Sequence, residues 1–556
     1  MSIDVTTLHG RRATDRWNRM VIADVLERVT WSRPDKDALV GWPGAYATPE
    51  FARVTYSEAD RACNRIAQAL AAEGLERSDR VLLYCENSIE AILSLIGIAK
   101  AGLVAVPINP LLAPDVLAWV VEHVEPRFAI VDGAHREKAD AVLVPAGVAS
   151  SVTIPIGGDA TPDAPAFADW IADRPEDEVV VEPALHADDV WSLLFTSGTT
   201  AMPKAVMATN TYSYAASYPY TLSLTRGLRF EDELRHLCFL PVIYHCGHHA
   251  TLFASCLAGG TMVIGRKPVA TEIAQAITAE RATSVWAGAP QFVQGIADAA
   301  LADPDGIDIS SLTVAMFSWG AMRQDMSETV ARAAGGGHVE LLEVFGQTEA
   351  MSCFRFWPDR EPEKLAEAVR GTNHVGVPTP ILAATIMDAE GRLLRGEPGV
   401  AGEAVYRSPA VTAGYYKNPE ATEEAFAGGW FHSGDSCRYE PDGTQVMVDR
   451  YKDIVKSGGE NVSSIRVEAV AQQHPAVARV AVVGLPDEKW GEVVTAVVEV
   501  TPGAELDPAE LIAFCRERLA GHESPKRVEV VDELPLTVGG KVLKYRLRQR
   551  FADAPA

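Results

Sequence analysis

The chain has 556 residues, of which 47% are hydrophobic and 22% charged, and its formal net charge is −25. A single core stops growing near about 250–300 residues, so this length implies several subdomains. The acidic balance argues against nucleic acid or an anionic membrane surface as a partner, since both repel a polyanion, but it leaves room for a locally basic nucleotide pocket.

From residue 58 onward helices and strands alternate. The stretch 60–74 places Ala62, Ile66 and Leu70 on one helical face and stops at Gly74. A buried strand is expected at 80–84, a helix capped by Ser88, a strand at 103–108, a helix at 115–123 and a strand at 128–132. This rhythm predicts an α/β fold with a largely parallel sheet. The Pro-, Asp- and Ala-rich segment 157–189 reads as a connection to a second α/β region that runs to about Glu349. Short strands with glycine turns dominate 375–450 and predict a small β subdomain, and after 449–453 the pattern becomes a compact α+β unit. The expected organisation is a large N-terminal domain, 1–450, of layered α/β subdomains plus the β subdomain, followed by a small C-terminal α+β domain, 451–556.

Eight scattered cysteines contain no C-x-x-C pair and read as free thiols in a reducing compartment. The first thirty residues hold no apolar signal core, and the apolar run 91–110 is broken by Lys100 and closed by prolines. A cytoplasmic protein without an integral membrane segment is expected.

The chemistry concentrates in a few loops. "LLFTSGTTAMPKAVM" (193–207) ends an apolar run in Thr196, Ser197, Gly198, Thr199 and Thr200, with Lys204 shortly after. Hydroxyls, freed backbone N–H groups and a cation suit polyphosphate oxygens. Neither a Walker motif nor a convincing dinucleotide-binding glycine pattern is present. "EVFGQTEA" (343–350) sets Thr348 beside Glu349, a pairing that can hold Mg²⁺ and phosphate together. "GWFHSGD" (429–435) ends in Asp435, suited to vicinal ribose hydroxyls. "DRYKDIVKSGGENV" (449–462) carries the pair Gly458–Gly459, and "PLTVGGKVLKYRLR" (535–548) places Lys541 behind two glycines. Each has a bland alternative: a polar turn, a capped helix start, a turn aspartate, a solvated linker or a basic tail. Their joint occurrence in this order does not.

That order resembles the adenylate-forming superfamily, specifically its acyl-CoA synthetases, over about residues 30–550, and "GYYKNPEATEEAF" (414–426) and "LPDEKWGE" (485–492) add to the match. The resemblance implies the following roles. Thr196 to Thr200 and Lys204 hold the β- and γ-phosphates of ATP. Thr348 touches the α-phosphate, and Glu349 binds Mg²⁺. Phe345, at a position usually held by tyrosine, stacks on adenine, with Gly346 and Gln347 beside it. Gly320 and Ala321 line the adenine and acyl pocket. Asp435 and Arg450 bind the ribose, and Lys541 bridges the α-phosphate and the substrate carboxylate. Lys452 falls at the hinge of a mobile C-terminal domain, and Gly458 and Gly459 line a pantetheine tunnel for coenzyme A.

The chain departs from the family's pattern in three places. Ala201 and Ala205 replace two glycines of the family's phosphate loop, adding a Cβ at each. In "LPVIYHCGHH" (240–249) Tyr244 takes the place of the family's pocket histidine and His245 follows one residue late. A zinc site is disfavoured there, because no second ligand cluster completes a tetrahedral set. "SWGAM" (318–322) puts Trp319 where the family has glycine, so its indole either walls the acyl tunnel or packs in the core. The walled tunnel favours a medium-chain, cyclic or aromatic acid. The implied reaction takes a small-molecule carboxylic acid, ATP and CoA. Loading of a carrier protein in trans and a catalytically silent nucleotide-binding protein are the rival readings, and a homodimer stays open.

Overall fold

The computed structural model describes residues 19–148, 150–196, 202–241, 245–368, 371–537 and 541–552, apart from the side chains of Ser352 and Cys353. Local sequence explains the first helices. Tyr56–Ala72 starts at a capping box, in which Thr55 Oγ1 accepts from Glu58 N at 3.2 Å and Glu58 Oε2 accepts from Thr55 N at 2.8 Å. Its stripe of Ala59, Ala62, Cys63, Ile66 and Leu70 is buried. Ile89–Lys100, capped by Ser88 Oγ on Ala91 N at 3.1 Å, is buried at every position. A helix apolar all round has to lie between layers.

Two sheets provide those layers. A six-stranded sheet orders Ser151–Ile154, Phe128–Asp132, Arg80–Tyr84, Val104–Pro107 and Val190–Phe195 in parallel, with Ala205–Thr209 antiparallel on its edge. A 13-stranded sheet has a parallel centre formed by Asp37–Gly41, Thr261–Ile264, Arg235–Cys238, Ser284–Gly288, Val314–Phe317 and Glu340–Gln347. Beyond Glu340–Gln347 it turns antiparallel through Ala350–Phe356 and Asn373–Pro378 into the β subdomain, whose strands are Gln445–Arg450, Phe431–Tyr439, Ala401–Arg407 and Ala383–Met387. One apolar cluster fills the space between the sheets and includes Ile66, Ile92, Tyr212, Phe253 and Trp286. Others cover the outer faces, around Ile277 and Val330 on one side and Val120 and Val131 on the other. The architecture is α/β, as expected. The connection 157–189 is more structured than its composition suggests, since Phe167 and Trp170 of the helix Phe167–Ile171 anchor it to the core.

The C-terminal sheet has five strands: Glu460–Val462, Val455–Ser457, Gly491–Val500 and Val477–Asp487 in that order, with Arg527–Val531 parallel to Gly491–Val500. Both faces are covered, one around Val467 and Leu511 and the other around Leu485 and Leu547. Cys63, Cys85, Cys238, Cys246, Cys256, Cys437 and Cys515 are buried free thiols. Among the described residues no helix is long and apolar enough to cross a membrane.

Gly458 and Gly459 close the hairpin between Val455–Ser457 and Glu460–Val462, with φ of +62° and +87°. Two consecutive left-handed residues make the tight turn whose twist matches a hairpin, so the pair is a defined corner. A Cβ on Gly458 would lie 3.0 Å from the Trp490 ring, whereas one on Gly459 meets nothing within 4 Å among the described residues. Gly459→Ala is therefore expected to weaken the C-terminal sheet by about 1–2 kcal/mol through backbone strain alone, and Gly458→Ala by more. Hydrogen exchange of amides in Gly491–Val500 checks both the loss and its order.

Candidate active site

The strands Val190–Phe195 and Ala205–Thr209 carry the base of the phosphate loop. Thr196 N donates to Lys204 O at 3.0 Å, and Lys204 N donates to Thr196 Oγ1 at 3.1 Å, so the two residues clamp the loop's ends. Ser197, Gly198, Thr199 and Thr200 lie outside the described residues. Lys204 is exposed, and its Nζ stands 4.5 Å from the centre of the Tyr415 ring. The segment around Tyr415 runs along this edge: Met207 N donates to Gly414 O at 2.9 Å and Tyr416 N to Ala205 O at 2.8 Å.

Thr348 and Glu349 form the corner between Glu340–Gln347 and Ala350–Phe356, where Gln347 pairs with Ala350. The sequence stretch thus makes a hairpin, not a helix start. The corner is held from several sides. Tyr212 Oη donates to Thr348 O at 2.8 Å, Thr412 N to Glu349 O at 2.8 Å, and Gln347 Nε2 to Ser433 O at 3.3 Å. Tyr415 Oη donates to Glu349 Oε1 at 2.9 Å. Burial first, then the Glu349 charge, pushes the Tyr415 hydroxyl pKa upward, which keeps it a donor. Tyr415 thus touches both the loop lysine and the hairpin carboxylate. Its motif was legible in the sequence, but this bridging position was not, because it depends on two distant strands meeting.

Asp435 is mid-strand, not in a turn. It lies opposite Arg450 in the register of Phe431–Tyr439 and Gln445–Arg450, with Arg450 Nε 3.0 Å from Asp435 Oδ1. Asp435 is 1% exposed. Burial pushes its carboxyl above the usual range, and Arg450, Lys541 and Lys452 pull it back. Lys541 therefore lies in the field of the same pair. It is held to Thr537 by two hydrogen bonds, Lys541 N donating to Thr537 Oγ1 at 3.1 Å and Thr537 N to Lys541 O at 2.8 Å. Burial lowers the Lys541 ammonium to about 8, with Arg450 and Lys452 adding to the shift and Asp435 and Asp453 opposing it. Lys452 leads into the C-terminal sheet, and its carbonyl accepts from Arg548 Nη2 at 3.2 Å.

The 13-stranded sheet also carries an aromatic wall. Phe345 packs on Phe354 with ring centres 6.1 Å apart, and Gly346 beside it is exposed. Gly320 has open surroundings, a Cβ there meeting among the described residues only Pro290, at 3.7 Å, and Ala321 is half-buried. Trp319 is not a core residue. It is 36% exposed, has φ of +64°, and sets its ring edge-on to buried Trp286 at 5.6 Å. Tyr244 lies outside the described residues. His245 begins a π-helix, Cys246–Phe253, a widened turn often found at functional sites. Burial and then the Lys541 charge lower His245 to about 4, which places it in the field of the lysine. His249 is spoken for: Nδ1 donates to His245 O at 3.0 Å, so Nε2 accepts from Ser213 Oγ at 3.0 Å. The π-helix left no trace in the hydrophobic pattern of this short run.

Residues 26–416 match the family described as AMP-binding enzyme, and 466–541 match the AMP-binding enzyme C-terminal domain. The chain belongs to this family. Among AMP-binding enzymes it is similar to 4-hydroxybutyrate–CoA ligase 2 of Metallosphaera sedula, at 34% identity over 87% of each chain. It is also similar to feruloyl-CoA synthase of Amycolatopsis sp, at 31% identity over 90% of this chain and 94% of that one. Its fold superposes on ATP-bound MatB from Rhodopseudomonas palustris with a TM-score of 0.80 and 25% identity, covering 96% and 99% of the two chains. Like these AMP-binding enzymes, it is an adenylate-forming ligase.

The Asp435–Arg450 pair yields a stability test. Arg450→Ala leaves a buried carboxylate without its partner and is expected to lower unfolding stability by up to about 3 kcal/mol near neutral pH. The isolated carboxyl then has a folded pKa above its unfolded value, so the deficit shrinks as pH falls and the group takes up a proton. Urea titrations of both proteins at pH 8 and pH 5.5 read that difference.

Proposed function

We propose that this chain is an ATP-dependent acyl-CoA synthetase that activates a carboxylic acid as acyl-AMP and then transfers the acyl group to CoA, releasing AMP and pyrophosphate. The observation that carries the reading is the buried Asp435–Arg450 ion pair, which lies in the field of both Lys541 and the Glu349 corner. Relatives named for 4-hydroxybutyrate and feruloyl groups support a carboxylic acid as substrate.

A carboxylate is a poor acyl donor because its leaving group would be oxide. Attack of its oxygen on the α-phosphorus of ATP breaks the bond to pyrophosphate and makes AMP the later leaving group. In this reading the enzyme's work is positioning and charge stabilisation. Asp435 and Arg450 hold the ribose, Phe345 stacks on adenine, and Gly320, Ala321, Gly346 and Gln347 frame the base. Thr196 through Thr200 and Lys204 take the β- and γ-phosphates, and Thr348 the α-phosphate. Glu349 offers one carboxylate, and a single carboxylate completed by phosphate oxygens and water is a donor set that suits Mg²⁺. That ion would supply positive charge to the departing pyrophosphate. Lys541 aligns the acid with the α-phosphate. For thioester formation we assign residues 451–556 as a domain that swings about Lys452, withdrawing Lys541 and bringing Gly458 and Gly459 to the pantetheine arm.

Pyrophosphate release over a panel of carboxylic acids, with and without CoA, tests the reading. A CoA-dependent thioester is the expected product. The profile is expected to peak at medium-chain or aromatic acids, with Trp319→Gly moving it toward longer chains. Pyrophosphate without CoA thioester, but with acylation of a pantetheinylated carrier protein, would favour the carrier-loading alternative. Nucleotide binding with no pyrophosphate from any acid would mark a silent protein.

Lys541 gives a sharper test. Lys541→Ala is expected to abolish adenylate formation yet leave thioester formation from supplied acyl-AMP largely intact. Because the free-enzyme ammonium titrates at about 8, kcat/KM for adenylation should fall as pH rises through that value. The thioester half-reaction should lack that limb. Equal loss of both half-reactions in a folded variant contradicts the assignment.

A further inference from the structure

We infer that His248, within the π-helix, reads a neutral oxygen on the acyl chain, a hydroxyl or a carbonyl set back from the carboxylate. The inference rests on the acyl-CoA synthetase reading and narrows its substrate class. His248 is 0% exposed, and among the described residues neither its Nδ1 nor its Nε2 has a hydrogen-bond partner. Buried histidines kept for structure find partners in this protein. His249 uses both nitrogens, and His236 Nδ1 lies 2.8 Å from Ser284 Oγ. His248 instead sits among rings: Trp191 at 6.0 Å, His249 at 5.9 Å and Phe253 at 6.4 Å. Buried polar side chains lacking a partner are uncommon and call for an explanation, and a bound ligand is one.

Its position suits that role. The Lys541 charge acts on His245, and His248 follows three residues later on the same helix, so the ring belongs to the segment next to the lysine that would hold the carboxylate. Trp191 belongs to the strand that ends in the phosphate loop. A second unpartnered group lies in the same apolar layer: Trp286 Nε1, on a residue 1% exposed and edge-on to Trp319. His248 is on the π-helix and Trp286 on the strand Ser284–Gly288.

The chemistry of the ring selects the group. Burial holds His248 neutral, far below the usual histidine range. A neutral imidazole carries one N–H and one lone pair, so it can donate to a carbonyl or exchange either role with a hydroxyl. A second carboxylate would be buried there with no counter-charge from these neighbours, and the ring disfavours it.

The test compares kcat/KM for pyrophosphate release across chain-matched alkanoic, hydroxy, oxo and dicarboxylic acids, in wild type, His248→Phe, His248→Asn and Trp286→Phe. Wild type should prefer a hydroxy or oxo acid of one chain length over the plain acid and reject the dicarboxylate. His248→Phe should cut the oxygenated-to-plain ratio by about tenfold or more, and His248→Asn should restore part of it. The melting temperature of acid-free His248→Phe should not fall, since the phenyl ring removes two unpaired polar atoms. Equal loss on oxygenated and plain acids, an unchanged ratio, or a large drop in melting temperature with an unchanged profile each overturns the inference. Failure of wild type to release pyrophosphate with any acid would overturn the synthetase reading itself, and this inference with it.

Discussion

The site depends on one buried ion pair. Asp435 and Arg450 face each other across two neighbouring strands, and the carboxylate is almost wholly removed from water. A charge in that position is unfavourable unless a cation stays beside it, so the register of the β subdomain, the end of its last strand and the path into the C-terminal sheet are all tied to this contact. Arg450 closes the strand, Lys452 follows two residues on, and Lys541 returns from 91 residues further along the sequence to join them. A chain with a net charge of −25 thereby gathers three cations against Asp435 and Asp453 in one cleft. Local charge, not total charge, decides what such a cleft attracts.

Around this electrostatic centre the two large sheets divide the work. The six-stranded sheet ends in the Thr196–Lys204 clamp, and the 13-stranded sheet supplies the Thr348–Glu349 corner and the aromatic wall. The layer between them is apolar, which sharpens any polar interaction made inside it. The two histidines side by side on the π-helix illustrate the contrast. One is held in a fixed tautomer by Ser213 and a carbonyl, and its neighbour has neither nitrogen engaged among the described residues.

Much of this was legible in the residues. The alternation of strands and helices predicted the α/β layers, and glycines, hydroxyls and charges marked the loops that converge. Ser88 was readable as a helix cap because capping is a local event. What escaped was whatever depends on distant segments meeting. "EVFGQTEA" gives no local sign that it turns back as a hairpin, since Thr348 and Glu349 are held by Tyr212, Thr412 and Tyr415 from elsewhere in the chain. Asp435 looks like a turn residue after Gly434 until the register with Arg450 makes it a strand residue. The left-handed backbone of Trp319 and the widened turn after His245 likewise arise from packing, not from periodicity.

The short run from Val411 to Tyr416 bridges the two sheets. At one end Val411 pairs with Ala350 beside the hairpin corner, and at the other Tyr415 pairs with Val206 on the phosphate-loop edge. Its side chains repeat the connection, Thr412 Oγ1 donating to Met207 O at 2.8 Å and Tyr415 reaching from Lys204 to Glu349. Such a tie removes independence. A shift of the loop strand is transmitted along six residues to the carboxylate on the opposite sheet, like a rod between two hinged panels. The edge that carries Lys204 and the corner that carries Glu349 are thereby fixed relative to each other.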